Sequence, residues 1–115
     1  MNQGDLHWVD LNEPVGSGPA KRRPCVIVQN DFFNRTSLKT TIVCTLTENL
    51  RRGSAPGNVL LHPGESGLRG QSVILVSQIV AIDKGQLGEY IGTLNDERIQ
   101  EVISGIKLLI EPRVY

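Results

Sequence analysis

At 115 residues the chain has room for one modest core and none for a separate substrate domain, so an active site must lie on that domain's surface or between copies of it. Lys+Arg and Asp+Glu are equal at 12 each, so net charge gives no pull toward nucleic acid, and any such case must rest on local clustering. No run of about 18 apolar residues is present and Met1–Asp5 is polar, so neither a membrane span nor a signal-like leader is expected and the cytosol is the expected compartment.

The expectation is one domain over residues 1–115, mainly β, whose short strands are cut by Gly, Pro, Asn and Asp. Leu6-His7-Trp8-Val9 opens it. Asn12 to Ala20, rich in Gly and Pro, is a loop long enough to be functional or mobile. Pro24 to Val28 and Thr41 to Leu46 are nearly continuous apolar runs, as central strands are, with a turn at Asn30–Asn34 between them. Cys25 and Cys44 sit inside these runs without redox or zinc spacing, and read as buried thiols. A second loop, Glu48 to Asn58, leads into Val59-Leu60-Leu61. Ser72 to Ile82 follows as one long strand, or two with a bend near Gln78.

After Asn95 the period changes. Ile99, Val102, Ile103, Ile106, Leu109 and Ile110 form one helical stripe, N-capped by Asn95, with Asp96 and Glu97 in the first turn and Pro112 as the stop. Gly105 within it costs about 1 kcal/mol relative to Ala, which suggests close packing against a strand. The plan is a small, strongly bent sheet or barrel closed by a C-terminal helix.

Lys21-Arg22-Arg23-Pro24 places three cations where the first loop enters a central strand. Pro24 biases Arg23 toward extended backbone, so its guanidinium is held in a defined direction. A guanidinium grips phosphate through two hydrogen bonds and stays charged at working pH, which suits a developing phosphorane; a solvated basic turn is the alternative. Alternation places Thr45 and Thr47 on one face. If that strand neighbours the Pro24 strand, the Thr47 hydroxyl reaches the same phosphate. Arg51, Arg52 and Arg69, on loops, either line a groove for a single strand or scatter over the surface. Asn30-Asp31 with Asn34-Arg35 is explained by Asx capping alone. His7 and His62 are candidates for general acid or base by residue type, but lack carboxylates at helical or strand spacing. No Gly-rich phosphate loop, nucleophile elbow or metal-ligand cluster is present, which argues against a metal-dependent nuclease.

Gly4-Asp5, Gly16-Ser17, Arg23-Pro24 with its Val-Ile-Val strand, Gln29-Asn30-Asp31 with Asn34, Thr47, Ser72–Leu75 running to Gln78-Ile79, and Ile82-Asp83-Lys84 together resemble the MazF/PemK/Kid family of toxin endoribonucleases, from Gly4 to about Ile110. The resemblance implies an SH3-like barrel, a homodimer, and sequence-specific, ribosome-independent cleavage of single-stranded mRNA without metal or other cofactor. It also implies a cognate antitoxin whose acidic tail occupies the RNA groove. Arg23 and Thr47 match the family's catalytic pair. The RNA 2′-hydroxyl would attack the adjacent phosphate, leaving a 2′,3′-cyclic phosphate and a 5′-hydroxyl. Ser17, Lys21, Arg22, Asn30, Arg51, Arg52, Arg69 and Gln78 are the expected RNA contacts. The sequence departs from the family at Ser77, often acidic, and at Gly18, often glutamate, which leaves the general base unassigned. A CcdB-like gyrase-binding toxin and a non-catalytic interaction module are the competing readings, because fold alone does not separate them.

Overall fold

β-Branched and apolar runs between turn-forming residues yield strands. A computed structural model describes residues 1–11 and 21–113, Lys21 by its backbone only. It contains strands β1 (Asp5–Leu11), β2 (Lys21–Ile27), β3 (Thr40–Thr47), β4 (Val59–Leu61), β5 (Ser72–Asp83) and β6 (Leu87–Thr93), a single-turn helix α1 (Asp31–Asn34) and a C-terminal helix α2 (Asp96–Ile110). The strands form one antiparallel sheet in the order β4-β5-β3-β2-β1-β6. The mainly β architecture with a closing helix agrees with the sequence expectation. No described helix is long and apolar enough to cross a membrane. The loop expected at Asn12–Ala20 lies outside the described residues.

β2 and β3 lie inside the sheet and bury both faces. Val26, Cys44 and Leu46 join Leu6, Leu61, Ile74 and Val76 in the main core, which Val102 and Ile106 of α2 cover. Cys25, Ile27 and Val43 point the other way, into a second cluster with Val9 and Ile82. Two buried faces explain why these runs are continuously apolar rather than alternating. The thiols therefore sit on opposite faces of the sheet, and burial pushes both up from 9.0 to about 12, in Cys25 against a smaller opposing effect of the His7 backbone.

β5 is one strand with a bend. Its register against β3 runs from Thr40↔Asp83 to Cys44↔Ile79, then slips before Leu46↔Ile74. The extra β5 residues bulge out between Ile74 and Ile79, and Ser77 and Gln78 are exposed there. β6 was not anticipated. Its sequence, Leu-Gly-Glu-Tyr-Ile-Gly-Thr, carries two glycines and little apolar alternation. Both glycines have a packing reason: a Cβ on Gly88 would meet the Trp8 carbonyl, and one on Gly92 would overlap the Ser66 backbone.

Helix α2 begins as expected, with the Asn95 side chain accepting from the Arg98 amide at 2.8 Å, and ends two residues before Pro112. Its apolar stripe is shorter than expected. Val102 and Ile106 are buried, but Leu109 and Ile110 are 48% and 68% exposed. Gly105 packs against the backbone of Gly57, in the turn before β4, rather than against a strand; a Cβ there would overlap the Gly57 carbonyl.

A polar knot joins α1 to four neighbouring segments. Asn34, buried, accepts through Oδ1 from Gln29 Nε2 and Thr41 Oγ1 at 2.9 Å each, and its Nδ2 donates to the Gln29 carbonyl at 2.8 Å. Lys84 Nζ donates to the Asn34 carbonyl at 2.9 Å, and the Gln3 amide to Asp31 Oδ1 at 2.7 Å. A buried polar side chain needs such saturation, and here it fixes the β2–β3 connection to the end of β5.

Candidate active site

β2 pairs with β3 through Cys25↔Thr45, Val26↔Cys44 and Ile27↔Val43. Continued toward the strand ends, this register sets Arg23 across from Thr47. The ladder stops beside Pro24, which has no N–H to contribute. On the other flank Arg23 pairs with Val9 and Arg22 with Asp10, so the Arg23 backbone is fixed although its side chain is exposed. Thr47 Oγ1 accepts from the Asn49 amide at 3.2 Å, and Asn49 Oδ1 in turn accepts from the Arg51 amide at 3.3 Å. With one lone pair engaged by the turn, the hydroxyl proton is left to donate outward.

These strand ends open on a groove of about 760 Å³. Trp8, Arg22, Arg23 and Pro24 come from β1 and β2, Leu46, Thr47 and Glu48 from β3 and its end, Gly67 to Gly70 from the loop before β5, and Glu89, Tyr90 and Ile91 from β6. The loop wall is anchored on α2 by a two-pronged ion pair. Arg98 Nε and Nη2 donate to Glu65 Oε1 and Oε2 at 2.9 and 3.0 Å, and the His62 amide donates to Oε2 at 2.6 Å. The Arg98 guanidinium first, and the His62 amide second, hold the Glu65 carboxyl below its ordinary range, and the pairing raises Arg98. Gly67, at φ +87, lies so close to the Ile91 carbonyl of β6 that a Cβ would overlap it. The loop thus closes against the edge strand, with no room for a larger residue.

Of the residues nominated from sequence, Arg22, Arg23, Thr47 and Arg69 meet in this groove. Arg51 and Arg52 lie outside its lining, on a 3-10 turn spanning Leu50–Ser54. Gln78 stands in the β5 bulge, and Asn30 caps α1 by accepting from the Phe33 amide at 3.2 Å; neither lines the groove. Ser17 and the Lys21 side chain fall outside the described residues. His7 is tied to the Gly88 carbonyl through Nδ1 at 2.9 Å and is absent from the lining, as is His62. Sequence reading missed Trp8, Glu48, Glu89 and Tyr90. Glu89 and Tyr90 belong to the unanticipated β6, whereas Glu48 was open to notice as the carboxylate following Thr47. Three guanidinium groups and a hydroxyl beside two carboxylates make a site able to hold a phosphodiester anion and exchange protons with it. Among the described residues no three His, Cys, Asp or Glu side chains converge as a metal site would require.

The family model for the PemK-like, MazF-like toxin of type II toxin–antitoxin systems matches residues 2–110. The chain belongs to this family. It is 33% identical over 111 residues to the endoribonuclease MazF2 of Mycobacterium bovis, covering 96% of this chain and 97% of that protein. It is 34% identical over 108 residues to the endoribonuclease EndoA of Bacillus subtilis, covering 94% and 92%. The fold is similar to that of an endoribonuclease in complex with its cognate antitoxin from a mycobacterial species, with a TM-score of 0.78 at 22% identity over 99% of each chain. A MazE–MazF structure from Deinococcus radiodurans gives 0.79 at 20% identity, covering 98% of this chain and 97% of that one. The small β fold with a closing helix, expected as an SH3-like barrel, is thus a six-stranded antiparallel sheet with one C-terminal helix, similar to the fold of MazF toxins. The Gln29–Asn34 segment and Lys84 of this MazF-family chain do structural work in the polar knot, away from the groove.

Proposed function

We propose that this chain is the endoribonuclease toxin of a type II toxin–antitoxin pair, and that the Arg23–Thr47 groove cuts single-stranded RNA by internal transesterification. The observation that carries the reading is that Arg23 and Thr47, at the ends of neighbouring strands, line one groove. The family match and the relatives named as endoribonucleases support it.

In this reading the RNA 2′-oxygen bonds to the adjacent phosphorus and the bond from phosphorus to the 5′-oxygen breaks, giving a 2′,3′-cyclic phosphate and a 5′-hydroxyl. Arg23 clamps the non-bridging oxygens and protonates the leaving oxygen. Thr47 donates its hydroxyl proton to the same phosphate. The 2′ proton goes to another group, because a guanidinium with pKa above about 12 does not accept one. The groove carboxylates Glu48 and Glu89 are suited to take it. RNA supplies its own nucleophile, so no metal-bound hydroxide is needed.

The protein works as a homodimer in the cytoplasm, and its cognate antitoxin covers the groove. Alanine at Arg23 is expected to abolish cleavage of a mixed-sequence single-stranded RNA while leaving the circular dichroism spectrum unchanged. Retained cleavage would move the chemistry elsewhere. Gyrase inhibition with intact RNA would support the CcdB-like alternative.

A further inference from the structure

Trp8 is the only tryptophan in the chain, and it stands half-buried in the wall of the groove. The β1–β6 register shifts between His7↔Tyr90 and Val9↔Leu87. Gly88 and Glu89 therefore both stand against Trp8, and such a bulge re-aims the side chains around it. The Arg22 guanidinium lies over the indole, 5.0 Å from the ring centre. Its Nη2 is 3.7 Å from Glu89 Oε2, both side chains being more than half exposed. At that distance the ion pair is not a hydrogen bond, and exposed pairs hold weakly.

A wide apolar ring in a cationic groove, covered by one loosely held planar cation, has the chemistry of a stacking platform for a base. We propose that Trp8 is a nucleobase-stacking subsite, capped in the free protein by Arg22. On binding, a base of the single strand takes the indole face, and Arg22 leaves Glu89 for a phosphate of that strand. Glu89 acts here as the resting partner that keeps Arg22 parked. The proposal rests on the RNA-cleaving reading and adds to it a base-binding position beside the scissile phosphate.

The sole tryptophan makes the test direct. A labelled single-stranded RNA with 2′-O-methyl riboses, which binds without being cut, is titrated into the full-length protein while label anisotropy and intrinsic tryptophan emission are read together. Emission is expected to quench in step with the rise in anisotropy. Trp8→Leu is expected to weaken binding about tenfold, and Trp8→Phe to restore it to within about threefold of wild type. Glu89→Gln, which frees Arg22, is expected to tighten binding severalfold at low salt. Wild-type RNA binding with unchanged emission would overturn the subsite while leaving the nuclease reading intact; it needs no variant, so a misfolded Trp8→Leu does not block the test. Cleavage assays on unmodified RNA distinguish the two failures, since absence of both binding and cleavage would remove the RNA reading itself. Quenching by an acidic peptide but not by RNA would assign the surface to a protein partner and overturn the proposal.

Discussion

Among the described residues no side chain is bonded to Arg23, which owes its placement to backbone constraints. Pairing with Val9 on one side, and Pro24 after it, fix the direction from which the guanidinium reaches the groove. A clamp of that kind depends on two parallel N–H donors, which lysine lacks. Arg23→Lys is therefore expected to lose at least about tenfold, and Thr47→Val about a hundredfold, in single-turnover cleavage rate, with unfolding midpoints within a few degrees of wild type. Near-full activity in Arg23→Lys would remove the two-pronged role. Arg23 was legible in sequence because a proline beside a basic run has directional consequences. Trp8 was not, because its meaning depends on a bulge created by a strand distant in the chain.

Residue chemistry also sets the response to pH. The Glu65 carboxyl is lowered in the fold, so the stability from its pairing with Arg98 is present above the ordinary value of 4.5 and lost as pH falls through the folded value. Glu65→Gln is expected to flatten the acid limb of a stability profile recorded by urea unfolding. The cysteines act at the other end. Their neutral thiols are favoured in the fold, so stability is intact below 9.0 and falls as pH rises from there toward about 12, because the unfolded chain ionises first. Native thiols should correspondingly resist alkylation until the protein unfolds.

At the scale of elements, apolar patterning was enough for β2, β3, β4 and α2, whose residues fill one core or both. It failed for β6, because an edge strand pressed against β1 and against the loop at Ser66 uses glycine where a free strand would carry side chains. It also misassigned the partner of Gly105. Helix propensity alone makes Gly105→Ala stabilising by about 1 kcal/mol. Backbone contact with Gly57 reverses the sign: overlap with a carbonyl forces the helix away from the turn before β4, and a net loss of about 1–3 kcal/mol is expected. A rise in thermal midpoint on this substitution would mean that the two glycines are not in contact.

For the whole molecule, the groove is a convergence of β1, β2, β3, β6 and the loop before β5, and no local stretch of sequence displays it. Strand order brought Arg69 to Arg23 and left Arg51, Arg52 and Gln78 off the lining. The exposed Leu108, Leu109 and Ile110 at the end of α2 leave apolar surface for the proposed second copy. Light scattering is expected to report twice the 12.6 kDa of one chain. Arg23 and Thr47 are proposed to cut RNA through the substrate's own 2′-hydroxyl. The most direct test is to incubate purified protein with a mixed-sequence single-stranded RNA in excess chelator and analyse the product ends. Discrete fragments ending in 2′,3′-cyclic phosphate and 5′-hydroxyl, absent with Arg23→Ala and with a 2′-deoxy substrate, are expected; intact RNA, or cleavage that persists in either control, would contradict the account.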